Sequence, residues 1–378
     1  MNRIIPGDTA ERGDAGEHPA YLRDQLITCI GNKRALLDEI GDMIDVARRG
    51  LGQEKLTFLD LFSGSGIVSR RAKQVARHIT ANDLEPYSEV INRCYLTDAA
   101  PALLAELQDN LSRLETAVAE DMWPGFIADL YAPQDDEDIK PGERVFYTRR
   151  NAVYIDSARR AIAKLPDRLQ PYFLGPLLSA ASIHANTAGV FKGFYKNADG
   201  RGQFGGRGEF ALKRILGDIR LRLPVLSAHQ CGATVTRRDA NALVRDIDDV
   251  DLAYIDPPYN QHPYGSNYFM LNLIADYRRP ETVSRVSGIP TDWNRSRYNK
   301  VTEVEDALFN LVENCPASFV LISYNSEGFV AKDRFLSTLK GMGRLEMREV
   351  RYNAFRGSRN LRGRARYVTE YLFLLDKR

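Results

Sequence analysis

Apolar residues along this chain recur with two periods. Residues 56–61, 78–81, 234–236, 252–255, 319–323 and 367–375 are short apolar or alternating runs of strand length. Residues 67–76, 102–107 and 158–162 instead carry apolar side chains at helical spacing. The order of these runs narrows the fold. A strand at 56–61, a turn containing Gly64 and Gly66, a helix at 67–76 and a second strand at 78–81 form the opening unit of a doubly wound α/β sheet. Residues 21–100 therefore read as the first half of a Rossmann-like sheet, and 231–378 return to strands. The stretch 101–230 is patterned largely as helices and reads as an insertion between the two halves. Residues 1–20 are polar with Pro and Gly and read as a flexible lead-in.

Composition narrows the class further. The 378 residues suffice for one α/β core plus a second lobe, and 44% hydrophobic content with a mean hydropathy of −0.36 describes a globular chain. There is no apolar run of membrane length and no signal peptide pattern, so a cytoplasmic protein without a membrane partner is expected. Cys29, Cys94, Cys231 and Cys315 are scattered, with no Cys-x-x-Cys pair. That spacing suits free thiols in a reducing compartment, and neither they nor the five histidines suggest a metal site.

The most specific signal is Asp256-Pro257-Pro258-Tyr259, directly after the apolar run 252–255. Two prolines cannot continue a strand ladder, and each restricts the residue before it to extended geometry. The result is a rigid turn at a strand's carboxyl end, offering a carboxylate, a bare carbonyl and an aromatic face. Such a set suits a planar exocyclic amine, whose lone pair is delocalised into its ring. Hydrogen bonds from the two amino hydrogens to Asp256 and to the Pro257 carbonyl would favour a more tetrahedral nitrogen. Asp256 then acts as an acceptor for developing positive charge and not as a strong base.

The second signal is Asp60 followed by Phe62-Ser63-Gly64-Ser65-Gly66, at the end of the first strand. It lacks the third glycine of the pyrophosphate fingerprint G-x-G-x-x-G, which weighs against a nicotinamide enzyme. The next strand ends at Asn82-Asp83, a separation from Asp60 that suits an acidic residue binding ribose hydroxyls.

Together these residues resemble the adenine-N6 DNA methyltransferases of the D12 class, relatives of the Dam methylases, and within them the type II modification methylases. The resemblance runs from about Tyr21 to the end. It includes Gly31-Asn32-Lys33, with Cys29 standing where relatives carry tyrosine, and the segments 146–159, 186–191 and 323–325. The order of motifs is that of the family's alpha arrangement. It implies S-adenosylmethionine (SAM) as cofactor. Gly31, Asn32 and Lys33 would lie at its methionine part. Asp60, Phe62, Ser63, Gly64, Ser65 and Gly66 would hold the methionyl and ribosyl portions, Asp83 the ribose, and Asp239-Ala240 the adenine edge. It also implies that 367–375 closes the sheet as an antiparallel strand.

The activity so implied is methylation of N6 of a flipped-out adenine in double-stranded DNA, with Asp256, Pro257, Pro258 and Tyr259 as the catalytic turn. RNA adenine-N6 or DNA cytosine-N4 methylation, or a silent DNA-binding module on the same fold, are the alternatives. A cognate restriction or defence nuclease is the expected partner, and a nucleoid-associated location follows.

Net charge is only +2, so DNA contacts must be local. The insertion carries Lys192, Tyr195, Lys196, Arg201 and Arg207, where aromatics can stack and basic side chains can reach bases or phosphates. Residues 344–366 hold eight arginines against two acids, including Arg356 and Arg359. Each stretch reads either as a solvated basic surface or as a DNA contact, and the first one's place in the insertion favours target recognition. Tyr264 and Tyr268, after the prolyl turn, are candidates to line the base pocket or to pack the helix that follows.

Overall fold

The computed structural model describes residues 16–28, 31–206, 209–353 and 367–378. Seven strands form one sheet: β1 (Leu56–Asp60), β2 (Ala76–Asn82), β3 (Gly232–Thr236), β4 (Leu252–Ile255), β5 (Phe319–Asn325), β6 (Arg344–Asn353) and β7 (Tyr367–Asp376). Their spatial order is β3-β2-β1-β4-β5-β7-β6. β1 to β5 are mutually parallel, whereas β7 is antiparallel to both β5 and β6. The strand order reverses between β1 and β4, which makes the crevice beyond their carboxyl ends the expected ligand position in such a sheet.

The short run 252–255 is apolar on both faces because both faces of the sheet are covered. Leu252 and Tyr254 face the layer built by the helices Leu37–Leu51 and Ile67–Ala72, together with Ile40, Ile44 and Val68. Ala253 and Ile255 face the opposite layer, with Leu308 and Val312 of the helix Val304–Asn314. Alternation along a strand thus sorts one four-residue run into two cores.

A third core is helical. It joins the helices Pro101–Glu120, Arg149–Ile162 and Gln170–Ile183 of the expected insertion to Pro86–Tyr95 and Phe269–Asp276 from the flanking sheet halves. The apolar positions of Met270, Leu271 and Ile274 belong to this core. Because the helix Phe269–Asp276 follows the prolyl turn, the helical core is packed directly against the segment that leads out of that turn. Among the described residues, no helix is long and apolar enough to cross a membrane.

The turn after β1 needs its glycines for different reasons. Gly64 and Gly66 both adopt left-handed backbone, φ 51° and 71°. A Cβ on Gly66 would stand 2.4 Å from Asn92 Oδ1, whose amide nitrogen already donates to Ser63 Oγ at 3.0 Å and to the Ser88 carbonyl at 2.9 Å. Gly66→Ala is therefore expected to cost about 1–3 kcal/mol through backbone strain and a displaced buried amide. Thermal unfolding should register a lower Tm; an unchanged one would contradict the tight fit of this turn.

Candidate active site

A cleft of about 850 Å³, open to solvent, lies beyond the carboxyl ends of β1 and β4. Gly31, Asn32, Lys33, Asp60, Phe62, Ser63, Gly64, Ser65, Asp83, Asp256, Pro258 and Tyr264 all line it. Residues separated by more than 200 positions in sequence thus share one cleft, because β1 and β4 end side by side there.

The floor of the cleft comes from the turns after β1 and β2. Asp83 accepts from Gly64 N at 2.8 Å and from Glu85 N at 3.0 Å, which ties the two turns together. Burial raises its carboxyl above the ordinary range, and those backbone donors oppose the shift. Asp60 accepts from Ser69 Oγ at 2.7 Å through Oδ2, while its buried Oδ1 has no hydrogen-bond partner among the described residues. Its pKa is pushed up to about 7, chiefly by burial, with Ser69 opposing and the Asp256 charge adding to the shift. A carboxyl in that condition calls for a cation or a donor. Gly64 presents its bare Cα here, and a Cβ would meet nothing nearer than the Phe62 carbonyl at 4.0 Å.

The opposite wall carries the prolyl turn. Asp256, with its side chain 18% exposed, pairs through Oδ1 with Lys33 Nζ at 2.9 Å. Lys33 is 4% exposed and also lies 3.0 Å from Glu370 Oε1 on β7. Burial raises the Asp256 carboxyl most, Lys33 pulls it down and Glu370 pushes it up, for a net value of about 6. The two carboxylates outweigh burial at Lys33 and hold its ammonium well above the ordinary lysine range. Gly31, at φ 76°, lets the chain pass beside Tyr264 and Tyr259: a Cβ there would lie 3.3 and 3.6 Å from their hydroxyls.

The described candidates do not all reach the cleft. Tyr264 lines it, whereas Tyr268 is buried behind, stacked on Tyr264 at 5.8 Å and edge-on to Tyr87 at 5.9 Å. Pro257 and Tyr259 lie just behind the wall; the Tyr259 ring meets Tyr324 edge-on at 5.9 Å. Gly66 shapes the turn from below. Asp239 caps the helix Ala240–Leu243 through Ala242 N at 3.0 Å and stands 3.5 Å from Arg297, and neither it nor Ala240 is among the residues that line the cleft.

In the insertion, Tyr195, Lys196 and Asn197 pair with Gln203, Gly202 and Arg201 in a small hairpin turned at Gly200, φ 79°. Lys196 and Arg201 are exposed on it, and Lys192 is exposed just before it. Its base is bonded to the segment after the prolyl turn, since Phe191 N donates to the Asn267 carbonyl at 2.7 Å. Cys29, Arg207, Arg356 and Arg359 lie outside the described residues.

Several cleft residues had no signal in the sequence reading. Glu85 bonds Asn272 and Asn294, and burial lifts its carboxyl to about 7. Asn294, Ser296 and Asn299 come from a polar loop without periodicity, and Asn299 Nδ2 holds the Asn260 carbonyl at 2.6 Å. Glu370, which does not line the cleft but pairs with Lys33 behind it, sits inside a largely apolar strand where only its charge marks it out.

With this geometry in hand, comparison with known proteins decides the class. A sequence profile of the D12 class N6 adenine-specific DNA methyltransferases matches residues 30–326. The chain belongs to this family. It is 29% identical to the type II methyltransferase M.NlaIII of Neisseria lactamica, over 92% of this chain and 98% of that protein. The type II methyltransferase M.CviAII of Paramecium bursaria Chlorella virus 1 is 29% identical over 92% of this chain and 97% of its own length. M.FokI of Planomicrobium okeanokoites is 29% identical as well, but over 52% of its length. The D12 chain is accordingly a site-specific, adenine-directed DNA methyltransferase, with DNA as its substrate and a methyl donor as its second one.

Proposed function

We propose that this D12 enzyme takes its methyl group from SAM and delivers it to N6 of an adenine flipped out of duplex DNA, with Asp256 as the acceptor that activates the amine. The observation that carries the reading is the position of Asp256, which lines the same cleft as Asp60, Gly64 and Asp83. The cleft's chemistry fits SAM: the unpartnered Asp60 Oδ1 suits an ammonium, the bare Gly64 suits close approach, and the carboxylate of Asp83 suits ribose hydroxyls. Bound SAM supplies an electrophilic methyl group on a sulfonium. Asp256 and the Pro257 carbonyl accept the two amino hydrogens, and Tyr259 serves the adenine face. Flipping the base costs a few kcal/mol, roughly, offset by contacts made in the pocket.

Residues 101–230 are assigned to target recognition, with Lys192, Tyr195, Lys196, Arg201 and Arg207 as DNA contacts. The bond from Phe191 to Asn267 supports this, because it ties the basic hairpin to the base-pocket segment. Arg356 and Arg359 are assigned to backbone phosphates. A cognate restriction nuclease and a nucleoid-associated location go with a modification role of the kind that the relatives' names describe.

The test is transfer of a labelled methyl group from SAM to duplex DNA and to RNA of the same sequence. Label in N6-methyladenine of the duplex supports the reading; label in RNA alone or in N4-methylcytosine overturns it. Asp83→Ala is expected to weaken SAM binding about 10- to 100-fold by calorimetry, from the loss of hydrogen bonds to a charged group. An unchanged affinity would remove Asp83 from the cofactor site.

A further inference from the structure

We infer that Glu370 is a positioning residue for methyl transfer, acting through Lys33 to fix both the place and the acceptor strength of the Asp256 carboxylate. The inference rests on the proposed role of Asp256. Glu370 is fully buried on β7, whose other buried residues are Val368, Leu372, Phe373, Leu374, Leu375 and, at the strand's end, Asp376. Burying a carboxylate there costs several kcal/mol, roughly, unless it is paired and hydrogen-bonded. It is both. Lys33 Nζ stands 3.0 Å away, Ser323 Oγ donates to Oε1 at 2.5 Å, and Asn325 Nδ2 donates to Oε2 at 3.3 Å.

The topology explains why a carboxyl-terminal strand reaches the active site. β7 runs antiparallel, so its early residues arrive where the parallel strands end, and Glu370 falls opposite Asn325 in register. Ile255 pairs with Ile322 in the neighbouring ladder, which brings Asp256 to the same level of the sheet. Lys33 bridges the two carboxylates at 2.9 and 3.0 Å. One ammonium is thus divided between two carboxylates. Were Lys33 to belong to Asp256 alone, that carboxylate would be more fully neutralised and a poorer acceptor for an amine hydrogen.

Among the described residues, the other charged or titratable groups facing Asp256 are Asp60 from β1, Tyr254 from β4 and Tyr264 from its own loop, while Tyr259 faces Lys33. Glu370 and Lys33 act on Asp256 with opposite sign. Removing the Glu370 charge eliminates a like-charge repulsion and releases Lys33 to Asp256. Both changes favour the ionised form, so the Asp256 titration moves down in pH.

The test uses the full chain and two readouts. The first is the carbon-13 carboxyl titration of Asp256 in cofactor-free protein, assigned with Asp256→Asn. The second is the pH dependence of kcat with SAM and duplex DNA. Glu370→Gln is expected to lower the Asp256 midpoint by about one pH unit. The acid limb of kcat should move the same way, with kcat several-fold lower and KM for DNA within about twofold. Glu370→Asp, which keeps the charge, is expected to shift the midpoint in the same direction by less, and it carries the test should the glutamine variant not fold. An unmoved midpoint and acid limb in the variant tested, with kcat falling only as Tm falls, would reduce Glu370 to a structural residue and overturn the inference. If Asp256→Asn itself turned over normally, the reading of Asp256 would fall, and the kinetic part of the inference with it.

Discussion

Asp256→Ala is expected to lower methyl transfer by about 100- to 1,000-fold while leaving SAM affinity within a few-fold of the parent. The magnitude is that of removing one preorganised group aimed at developing charge in an enclosed site, about 2.7–4 kcal/mol. Cofactor affinity is expected to survive because the groups assigned to SAM, above all Asp60 and Asp83, are oriented by their own partners, Ser69, Gly64 and Glu85. The fold should survive as well, since Lys33 keeps Glu370 as a counter-ion at 3.0 Å. Single-turnover transfer and calorimetry on the same preparation check this. Near-normal transfer would take Asp256 out of the mechanism, whereas lost SAM binding would make it a cofactor residue instead.

Lys33→Met is expected to be more damaging, because it removes the only cation bridging Asp256 and Glu370 among the described residues. The buried Asp256 carboxylate would then lose its ion-pair partner while keeping Glu370 as a like-charged neighbour, a change that typically costs about 3–5 kcal/mol. The penalty has a pH signature. Lys33 is the group that pulls the Asp256 carboxyl down, so removing it raises that carboxyl further above its unfolded value of about 4, and the folded variant holds a proton that the unfolded chain has released. Its stability is then best preserved at acid pH and declines as pH rises through the raised Asp256 value. Parent and variant should differ least in Tm near pH 5 and most above pH 7. A Tm difference that did not grow with pH would mean that the triad is not a charge cluster. Transfer at neutral pH should also be lost, since Asp256 would be largely protonated.

Much of the fold was legible because burial on both faces of a parallel sheet leaves strong local marks. Residues 252–255 read as a buried strand closed by two prolines, and the glycines at 64 and 66 as a tight turn before a helix, which ends at Ala72, short of the expected 76, where β2 begins. The antiparallel course of 367–375 came from the family resemblance and agrees with β7. Its insertion between β5 and β6, however, is a long-range pairing that periodicity does not encode. The site divides along the same line. Residues in fixed local motifs, such as Gly31 to Lys33, Phe62 to Ser65 and Asp256, meet at one cleft. Those contributed by tertiary packing were silent: Glu370 reads as a polar interruption in a strand, and Asn294 and Asn299 as ordinary loop residues. Tyr264 and Tyr268 were indistinguishable in sequence because both fit a helix start. Only the stack between them puts Tyr264 in front and Tyr268 behind. The helices Pro86–Tyr95 and Phe269–Asp276 joined the helical core for a related reason, since their apolar faces match either layer until packing selects one.

Adenine methylation through Asp256 is read out by single-molecule sequencing of DNA from a methylation-free host, expressing either the parent chain or Asp256→Ala at equal levels. N6-methyladenine at one recurring short motif with the parent, and its near-complete loss with the variant, is the predicted result. Equal marks from both, or marks at cytosine instead of adenine, would contradict it.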